Sequence, residues 1–258
     1  MENQPSAPVG GLLQGGAAYQ AQTPWGAGWA ILGAALITLA GILAAVSFVG
    51  VANLSNPAVD GAAQGHVALA TLGVWQVTTI ALTVLASALF GGRIKDVLAL
   101  RAPPAGASVY LSAIGAMIAL QLAVSVVQYF LVSGDLFADL RPFVNVAIGP
   151  DWALAFLVVG IGAPLAEELL FRGFLLSALA RTRVGFAGAA VASTSLWTAL
   201  HAGYSLLGIV EVFTIGLFFS WMLWRTGSLR VPIFCHALYN SLIVGMLRFV
   251  NLPAASIG

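Results

Sequence analysis

The sequence predicts an all-α, polytopic membrane protein with about seven transmembrane helices, within a range of six to eight. Of its 258 residues, 60% are hydrophobic and only 7% are charged, whereas about 25% are charged in an ordinary soluble domain. The mean hydropathy of +0.98 leaves too little polar surface for a water-soluble fold. Three windows, near 27–52, 67–91 and 108–132, contain no charge and exceed the ~20 apolar residues that span a bilayer as a helix.

Charge and cysteine content exclude several kinds of partner. The net charge of +1 provides no basic field for nucleic acid, so no nucleic-acid partner is expected. The lone Cys235 excludes a disulfide framework and any multi-cysteine metal site.

The chain is predicted to form one membrane domain between two short tails. Residues 1–26 hold a single charge and are rich in Gly, Pro, Gln and Ala, which predicts a flexible N-terminal tail. They lack the positive n-region of a cleaved signal peptide, so the first apolar segment is expected to remain as an anchor. Residues 27–250 form the predicted transmembrane domain, with its functional half at about 150–245, and 251–258 form a short C-terminal tail.

The second half of the chain differs from the first because charged residues interrupt its apolar windows. These windows lie near 151–180, 184–203, 205–225 and 231–250. The interrupting residues are Glu167, Glu168, Arg172, His201, Glu211 and His236.

Most Lys and Arg residues fall in three connectors, at 92–107, 181–183 and 225–230. With seven spans, these connectors lie on one side of the membrane, and the positive-inside rule makes that side cytoplasmic. We therefore expect a multi-pass protein of a bacterial inner (plasma) membrane with its N-terminus in the cytoplasm.

The stretch GAPLAEELLFRGF, residues 162–174, places three ionisable side chains inside one predicted span. An unpaired charge at the centre of a helix costs ~2.5–3.5 kcal/mol on insertion. Glu168 and Arg172 are four residues apart, so they share a helix face and can pair. Glu167 lies about 100° around the helix from Glu168 and has no partner there. Two interpretations stay open: a structural ion-pair cluster, or a general base that takes a proton from water.

Two histidines and an asparagine complete a candidate catalytic set. His201 and His236 lie in separate apolar segments, and Asn240 follows His236 by four residues, on the same helix face. Histidine and asparagine side chains can stabilise an oxyanion. Together with Glu167, they would supply what is needed to add water to a carbonyl. The residues alone do not decide which histidine faces the water.

Three motifs in this half resemble those of the CPBP (Abi) family of intramembrane proteases. EExxxR is present at residues 167–172, HxxxN is present as HALYN at 236–240, and FxxxH is present as WTALH, with Trp197 in place of Phe. The match covers roughly residues 150–245. Within this family, the sequence is most similar to the Ras-converting endopeptidase branch, the type II CAAX prenyl endopeptidases. The change of Phe to Trp keeps an aromatic ring, so we expect it to leave His201 unaffected and to alter at most the packing or the shape of the pocket.

The resemblance implies an intramembrane endopeptidase that cleaves a lipidated or membrane-tethered, and in this family prenylated, peptide. The implied roles are water activation by Glu167, water orientation by His201, oxyanion stabilisation by His236 and Asn240, and support by Glu168 and Arg172.

The resemblance leaves the metal question open, because the family is often labelled as metalloproteases. Glu167, His201 and His236 match the ligand set of a hydrolytic zinc site with an open fourth position. The sequence contains no HExxH motif. The resemblance also favours water activated by glutamate without a bound metal, so the preferred interpretation requires no cofactor.

Two other functions remain at this stage. A non-proteolytic membrane scaffold or bacteriocin-immunity-type protein would use the charged cluster for rigidity. A transporter would use Glu167 as a proton relay, but that function favours an internal repeat, and none is apparent in the sequence.

The depth of the site in the membrane adds one structural expectation. Glu167 lies 14 residues before Arg181, or ~21 Å of helix, whereas His236 lies six residues after Arg230, or ~9 Å. For the two side chains to meet, we expect the helix to bend or break near Gly173.

Overall fold

The computed structural model describes residues 11–13, 16–55, 61–131 and 137–249. Within these ranges the chain forms nine helices and no strand, and one 3₁₀ turn, Ala138–Leu140, precedes α5. The helices are α1 (Ala27–Ser55), α2 (Gly61–Leu89), α3 (Ile94–Val97), α4 (Ser108–Leu131), α5 (Arg141–Ile148), α6 (Trp152–Leu179), α7 (Gly185–Ala199), α8 (Leu206–Thr226) and α9 (Arg230–Phe249).

Six helices of the described chain, α1, α2, α4, α6, α8 and α9, are long and apolar enough to cross a membrane. The predicted all-α polytopic fold is confirmed, and the count lies within the predicted six to eight. The remaining predicted span, 184–203, corresponds to α7. The 15 residues of α7 cover ~22 Å, which is less than the ~30 Å hydrocarbon core. After α7 the chain turns through residues 200–204, and Ser205 caps α8 by accepting a hydrogen bond from the Gly208 N–H at 3.0 Å.

The connectors meet in two groups at opposite ends of the helices. At one end, here called the basic end, Arg181 bonds the Thr23 carbonyl and Arg230 Nε donates to the Leu100 carbonyl at 2.6 Å. At the other end, the Ser205 hydroxyl donates to Asp139 at 2.7 Å. Thus α7 reverses the chain direction like a full span, and the connectors richest in Lys and Arg gather at one end.

Helix α6 is the centre of the fold. In its apolar window 56% of the residues are buried by the rest of the protein, against 17–39% in the other five spans. Two stretches, Phe156–Gly162 and Glu168–Leu176, have π-helical hydrogen bonding. Such wide turns occur frequently at functional sites.

The predicted break near Gly173 is wrong, because α6 runs without interruption from Trp152 to Leu179. Gly173 provides space for neighbouring side chains instead. A Cβ at this position would lie 3.0 Å from Leu229 and 3.3 Å from Leu98. The turn before α9, which contains Leu229, therefore packs beside Gly173 of α6, six residues after Glu167. The last turns of α6 extend beyond this contact.

The described part of the N-terminal segment, residues 11–13 and 16–26, packs over these last turns of α6. Trp25 stacks on Phe174 at 4.8 Å and donates its indole N–H to the Phe174 carbonyl at 3.2 Å. The backbone N–H groups of Ala18 and Tyr19 donate to the carbonyl of Trp224. This packing differs from the predicted flexible tail, because a segment poor in charge still carries a large apolar anchor in Trp25. Residues 1–10, 14–15 and the predicted C-terminal tail lie outside the described residues.

The first half of the chain contacts α6 through small and polar residues. Gly41 of α1 lies against Trp75 of α2, where an added Cβ would approach the ring to 2.8 Å. One face of α2 buries the row Gln76, Thr79, Thr83 and Ser87. Gln76 lies against Gly162 of α6, so α1 and α2 support the helix that carries the acidic pair.

Candidate active site

Glu168 and Arg172 form a fully buried ion pair on α6. Arg172 NH1 donates to Glu168 Oε1 at 3.0 Å, and neither side chain is exposed. Arg172 NH2 donates to the Gly216 carbonyl of α8 at 3.1 Å. This confirms the pairing predicted from the four-residue spacing. A buried charge requires such compensation, because its removal from water is costly.

His236 of α9 joins this pair and links it to Glu167. Its Nδ1 lies 3.0 Å from Glu168 Oε1. Because an ionised carboxylate only accepts hydrogen bonds, Nδ1 is the donor. The other ring nitrogen, Nε2, lies 3.8 Å from Glu167 Oε2. That distance is too long for a direct hydrogen bond and short enough for the two side chains to contact one water.

Glu167 itself is nearly buried and accepts one strong hydrogen bond. Its Oε2 receives the indole N–H of Trp197 at 2.7 Å. The expectation that Trp in place of Phe alters at most the packing or the shape of the pocket is therefore wrong, because Trp197 also donates a hydrogen bond to Glu167. The sequence contained the signal, because an indole carries an N–H donor and a phenyl ring does not.

His201 packs against Trp197, the residue whose indole N–H bonds Glu167. It follows the end of α7, and its Nδ1 lies 3.2 Å from the Trp197 carbonyl, which makes Nδ1 the donor there. Its ring centroid is 5.1 Å from that of Trp197 and 5.4 Å from that of Tyr204. No hydrogen bond or ion pair joins His201 to Glu167 in the described structure.

Asn240 lies one turn of α9 beyond His236. Its Nδ2 donates to the carbonyl of Val159 at 3.1 Å, in the first π-helical stretch of α6. The structure thus brings Glu167, Glu168, Arg172 and His236 into one cluster. It places His201 and Asn240 at the edges of that cluster.

The predicted zinc ligands do not converge on one point. Among the described residues, no three His, Cys, Asp or Glu side chains are arranged to hold a metal ion. His201 packs against the Trp197 ring and makes no ion pair with Glu167 in the described structure, and the indole N–H occupies Glu167 Oε2. The donor set in this arrangement does not fit a metal centre made of Glu167, His201 and His236.

Comparison with known proteins identifies the half of the chain that carries this cluster. Residues 149–242 match the family model described as "Type II CAAX prenyl endopeptidase Rce1-like". Over these residues, the chain is similar to the Rce1-like family. The matched range contains every residue of the cluster, and the resemblance inferred from the three motifs is confirmed.

One curated relative of the chain is an uncharacterized 24.3 kDa protein from Escherichia coli. The two are 36% identical over 123 residues, which are 45% of this chain and 56% of the relative. The chain therefore spans about half the length of that relative. No solved structure matches the chain.

The segment that matches the family model contains a second intramembrane carboxylate, Glu211 of α8, outside the cluster. It accepts hydrogen bonds from Gln121 at 3.0 Å, Gln128 at 2.6 Å and the Tyr239 hydroxyl at 3.3 Å. These contacts hold α4, α8 and α9 together.

The connector between α7 and α8 lies within electrostatic reach of both carboxylates. Burial raises the pKa of Tyr204 to about 12, and the negative charges of Glu167, Asp139 and Glu211 add to this effect. Tyr204 therefore keeps its phenolic proton at neutral pH, beside His201.

Proposed function

We propose that this Rce1-like chain is a membrane-embedded endopeptidase in which Glu167 activates the attacking water. The observation that carries the proposal is the pairing of Glu167 with His236, at 3.8 Å, inside the cluster of buried charges. A water that contacts both side chains could transfer its proton to the oxygen of Glu167 that has no protein donor. Its oxygen would then bond to the carbonyl carbon of a peptide.

The charges in the cluster support a role for His236 as a donor. Glu167 and Glu168 carry two negative charges when ionised, and Arg172 supplies one positive charge. A second proton on His236 brings the sum to zero, and it makes Nε2 a donor facing the pocket. In that state His236 would stabilise the tetrahedral oxyanion. Asn240 would assist with the N–H that is not bonded to Val159.

The return of the proton completes the proposed reaction. The C–N bond of the tetrahedral intermediate breaks, and Glu167 gives its proton to the departing amine. His201 lies too far from Glu167 for a direct contact. We therefore assign it to the edge of the pocket, where its free Nε2 would orient water or the substrate.

The substrate class and the orientation belong to the same proposal. A peptide tethered to the membrane by a lipid, as for the CAAX-type members of the family, would reach a site inside the bilayer. His236 lies six residues, or ~9 Å of helix, from Arg230 at the basic end. If that end is cytoplasmic, cleavage occurs in the cytoplasmic half of the membrane. The N-terminus then also lies in the cytoplasm.

The experiment is a cleavage assay on the purified protein in lipid vesicles. The substrates are a prenylated CAAX peptide and a pool of membrane peptides, with products identified by mass spectrometry. Glu167→Gln should lower the rate about 10²–10⁴-fold, because it removes the general base. Glu211→Gln, a matched change at the other intramembrane carboxylate, should keep most of the activity, and a chelator should not lower it.

Three outcomes would contradict the proposal. Cleavage by Glu167→Gln at the wild-type rate would remove the general base, and loss by chelator would favour a metal enzyme. Absence of cleavage by the wild-type protein on both substrate sets would favour the scaffold alternative.

A further inference from the structure

Trp197 contacts four of the side chains in or beside the candidate active site. Its indole N–H bonds Glu167 at 2.7 Å, and the guanidinium carbon of Arg172 lies 4.5 Å from its ring centroid. The ring meets His201 edge-on at 5.1 Å and His236 edge-on at 5.6 Å.

We propose that Trp197 is a positioning residue for Glu167: its indole N–H holds Oε2 so that Oε1 is the oxygen that takes the proton from water. The proposal rests on the proposed function. It assigns different roles to the two oxygens of the Glu167 carboxylate: Oε2 accepts the indole N–H, and Oε1 accepts the proton.

The hydrogen bonds of Glu167 support this division. Oε2 accepts the indole N–H and is also the oxygen nearest to His236. For Oε1, the described residues supply no hydrogen-bond donor. An oxygen without a protein donor keeps its lone pairs for water, whereas an oxygen already bonded to an N–H is a weaker base.

The packing around Trp197 makes its N–H a fixed donor. The side chain is 2% exposed, and Gly216 of α8 lies so close that an added Cβ would approach the ring to 2.8 Å. Arg172 covers one face of the ring through a cation–π contact, which desolvation strengthens. The ring therefore cannot turn its N–H away from Glu167 without moving α8 or Arg172.

The chemical consequence concerns geometry. The indole N–H keeps Oε2 in place and thereby fixes the direction in which Oε1 meets water. Without this bond, the carboxylate can rotate, and the oxygen that accepts the proton is no longer fixed.

The first test is independent of catalysis. The chain has seven Trp residues, and their indole N–H signals can be followed by ¹⁵N NMR in detergent. The signal missing from Trp197→Phe should shift in Glu167→Gln, because its acceptor changes from a carboxylate to an amide. The same signal should not move in Glu211→Gln. Equal shifts in the two Gln variants, or none in either, would overturn the proposed bond.

The second test is the pH dependence of cleavage. Trp197→Phe keeps the aromatic ring but removes one hydrogen bond to a charged group, so kcat should fall about ten- to a hundred-fold with little change in KM. The acidic limb of the pH–rate profile should move as well. Trp29→Phe, at an exposed position of α1, is the matched control and should leave both unchanged. An unmoved profile in a folded Trp197→Phe protein would contradict the proposal.

A third variant covers the case in which Trp197→Phe does not fold. Benzothienylalanine incorporated at position 197 has the shape of tryptophan with sulfur in place of the N–H. It should fold and reproduce the change in the pH profile. If wild-type protein cleaves no substrate but the NMR shift is present, the proposed function fails while the hydrogen bond stands. If cleavage depends on Glu167 but not on the indole N–H, only the positioning role fails.

Discussion

The first three spans and α6 meet their surroundings in different ways. In α1, α2 and α4, only 17%, 22% and 17% of the residues in the apolar windows are buried by protein, whereas in α6 the share is 56%. None of the first three spans carries a charged side chain. Helix α6 carries Glu167, Glu168 and Arg172, all of them buried.

The difference shows where a membrane protein can keep ionised groups. A charged side chain that faced lipid would have no partner, and the free energy of placing it there would destabilise the folded state. On α6 each charge has a partner from the same chain: Arg172 from α6, Trp197 from α7 and His236 from α9. The burial of α6 is therefore the condition for its chemistry, and the plain spans provide part of that cover.

The largest expected effect comes from breaking the buried pair. Arg172→Met removes the partner of Glu168 and leaves a buried carboxylate, so the free energy of unfolding should fall by about 3–5 kcal/mol. Thermal unfolding of the purified protein in detergent measures this. Leu122→Ala, at an exposed position of α4, is the control for the plain spans and should have a small effect.

A double variant separates the charge from the packing. Arg172→Met combined with Glu168→Leu removes both charges and should recover part of the loss, since apolar residues can replace a buried pair. The recovery should be incomplete because His236 Nδ1 then lacks its acceptor. If the double variant were less stable than Arg172→Met alone, the stability argument for the pair would be wrong.

The next effect concerns the cover at the basic end. Trp25 is 2% exposed and stacks on Phe174, so Trp25→Ala should lower the free energy of unfolding by about 3 kcal/mol. Limited proteolysis should then cleave the N-terminal segment faster than in the wild type. Trp29→Ala, only a few residues later and exposed, is the matched control. Equal effects of the two changes would mean that the segment does not cover α6.

The smallest effect lies in the exposed connector between α2 and α4. The hydrogen bond and charge of Arg101 hold the pKa of Asp96 below its ordinary value. Because the pKa of Asp96 is lower in the folded state, its ion pair with Arg101 stabilises the protein above the ordinary carboxyl pKa. This stabilisation is lost as the pH falls through the lowered pKa of the folded state. Asp96→Asn should therefore lower the melting temperature slightly at pH 7, and the difference from wild type should vanish in acid. A difference that grows in acid would contradict this sign.

Much of the site could be predicted because it depends on the spacing of residues within single helices. The four-residue spacing of Glu168 and Arg172 places them on one helix face, and the same spacing joins His236 to Asn240. The apolar windows set the number of spans to within one. These features depend only on helical geometry and on the cost of charge in lipid.

Other features depend on contacts between distant segments, and the sequence pattern does not specify them. Gly173 looked like a break in α6, but its role is to admit Leu229 and Leu98. The composition of residues 16–26 predicted flexibility, yet Trp25 finds a partner 149 residues away. The positions of His201 and Glu167 depend on Trp197, which contacts both side chains and packs against α6 and α8.

A double-mutant cycle between Glu167 and His236 tests the central claim most directly. The rates of cleavage by Glu167→Asp, His236→Gln and the double variant are compared with the wild-type rate on the same substrate. If the two groups act as one unit on one water, the double variant should be no slower than the slower single variant, since residues of a catalytic unit are strongly non-additive. A double variant whose loss is the product of the two single losses would show that they act independently, and it would contradict the account.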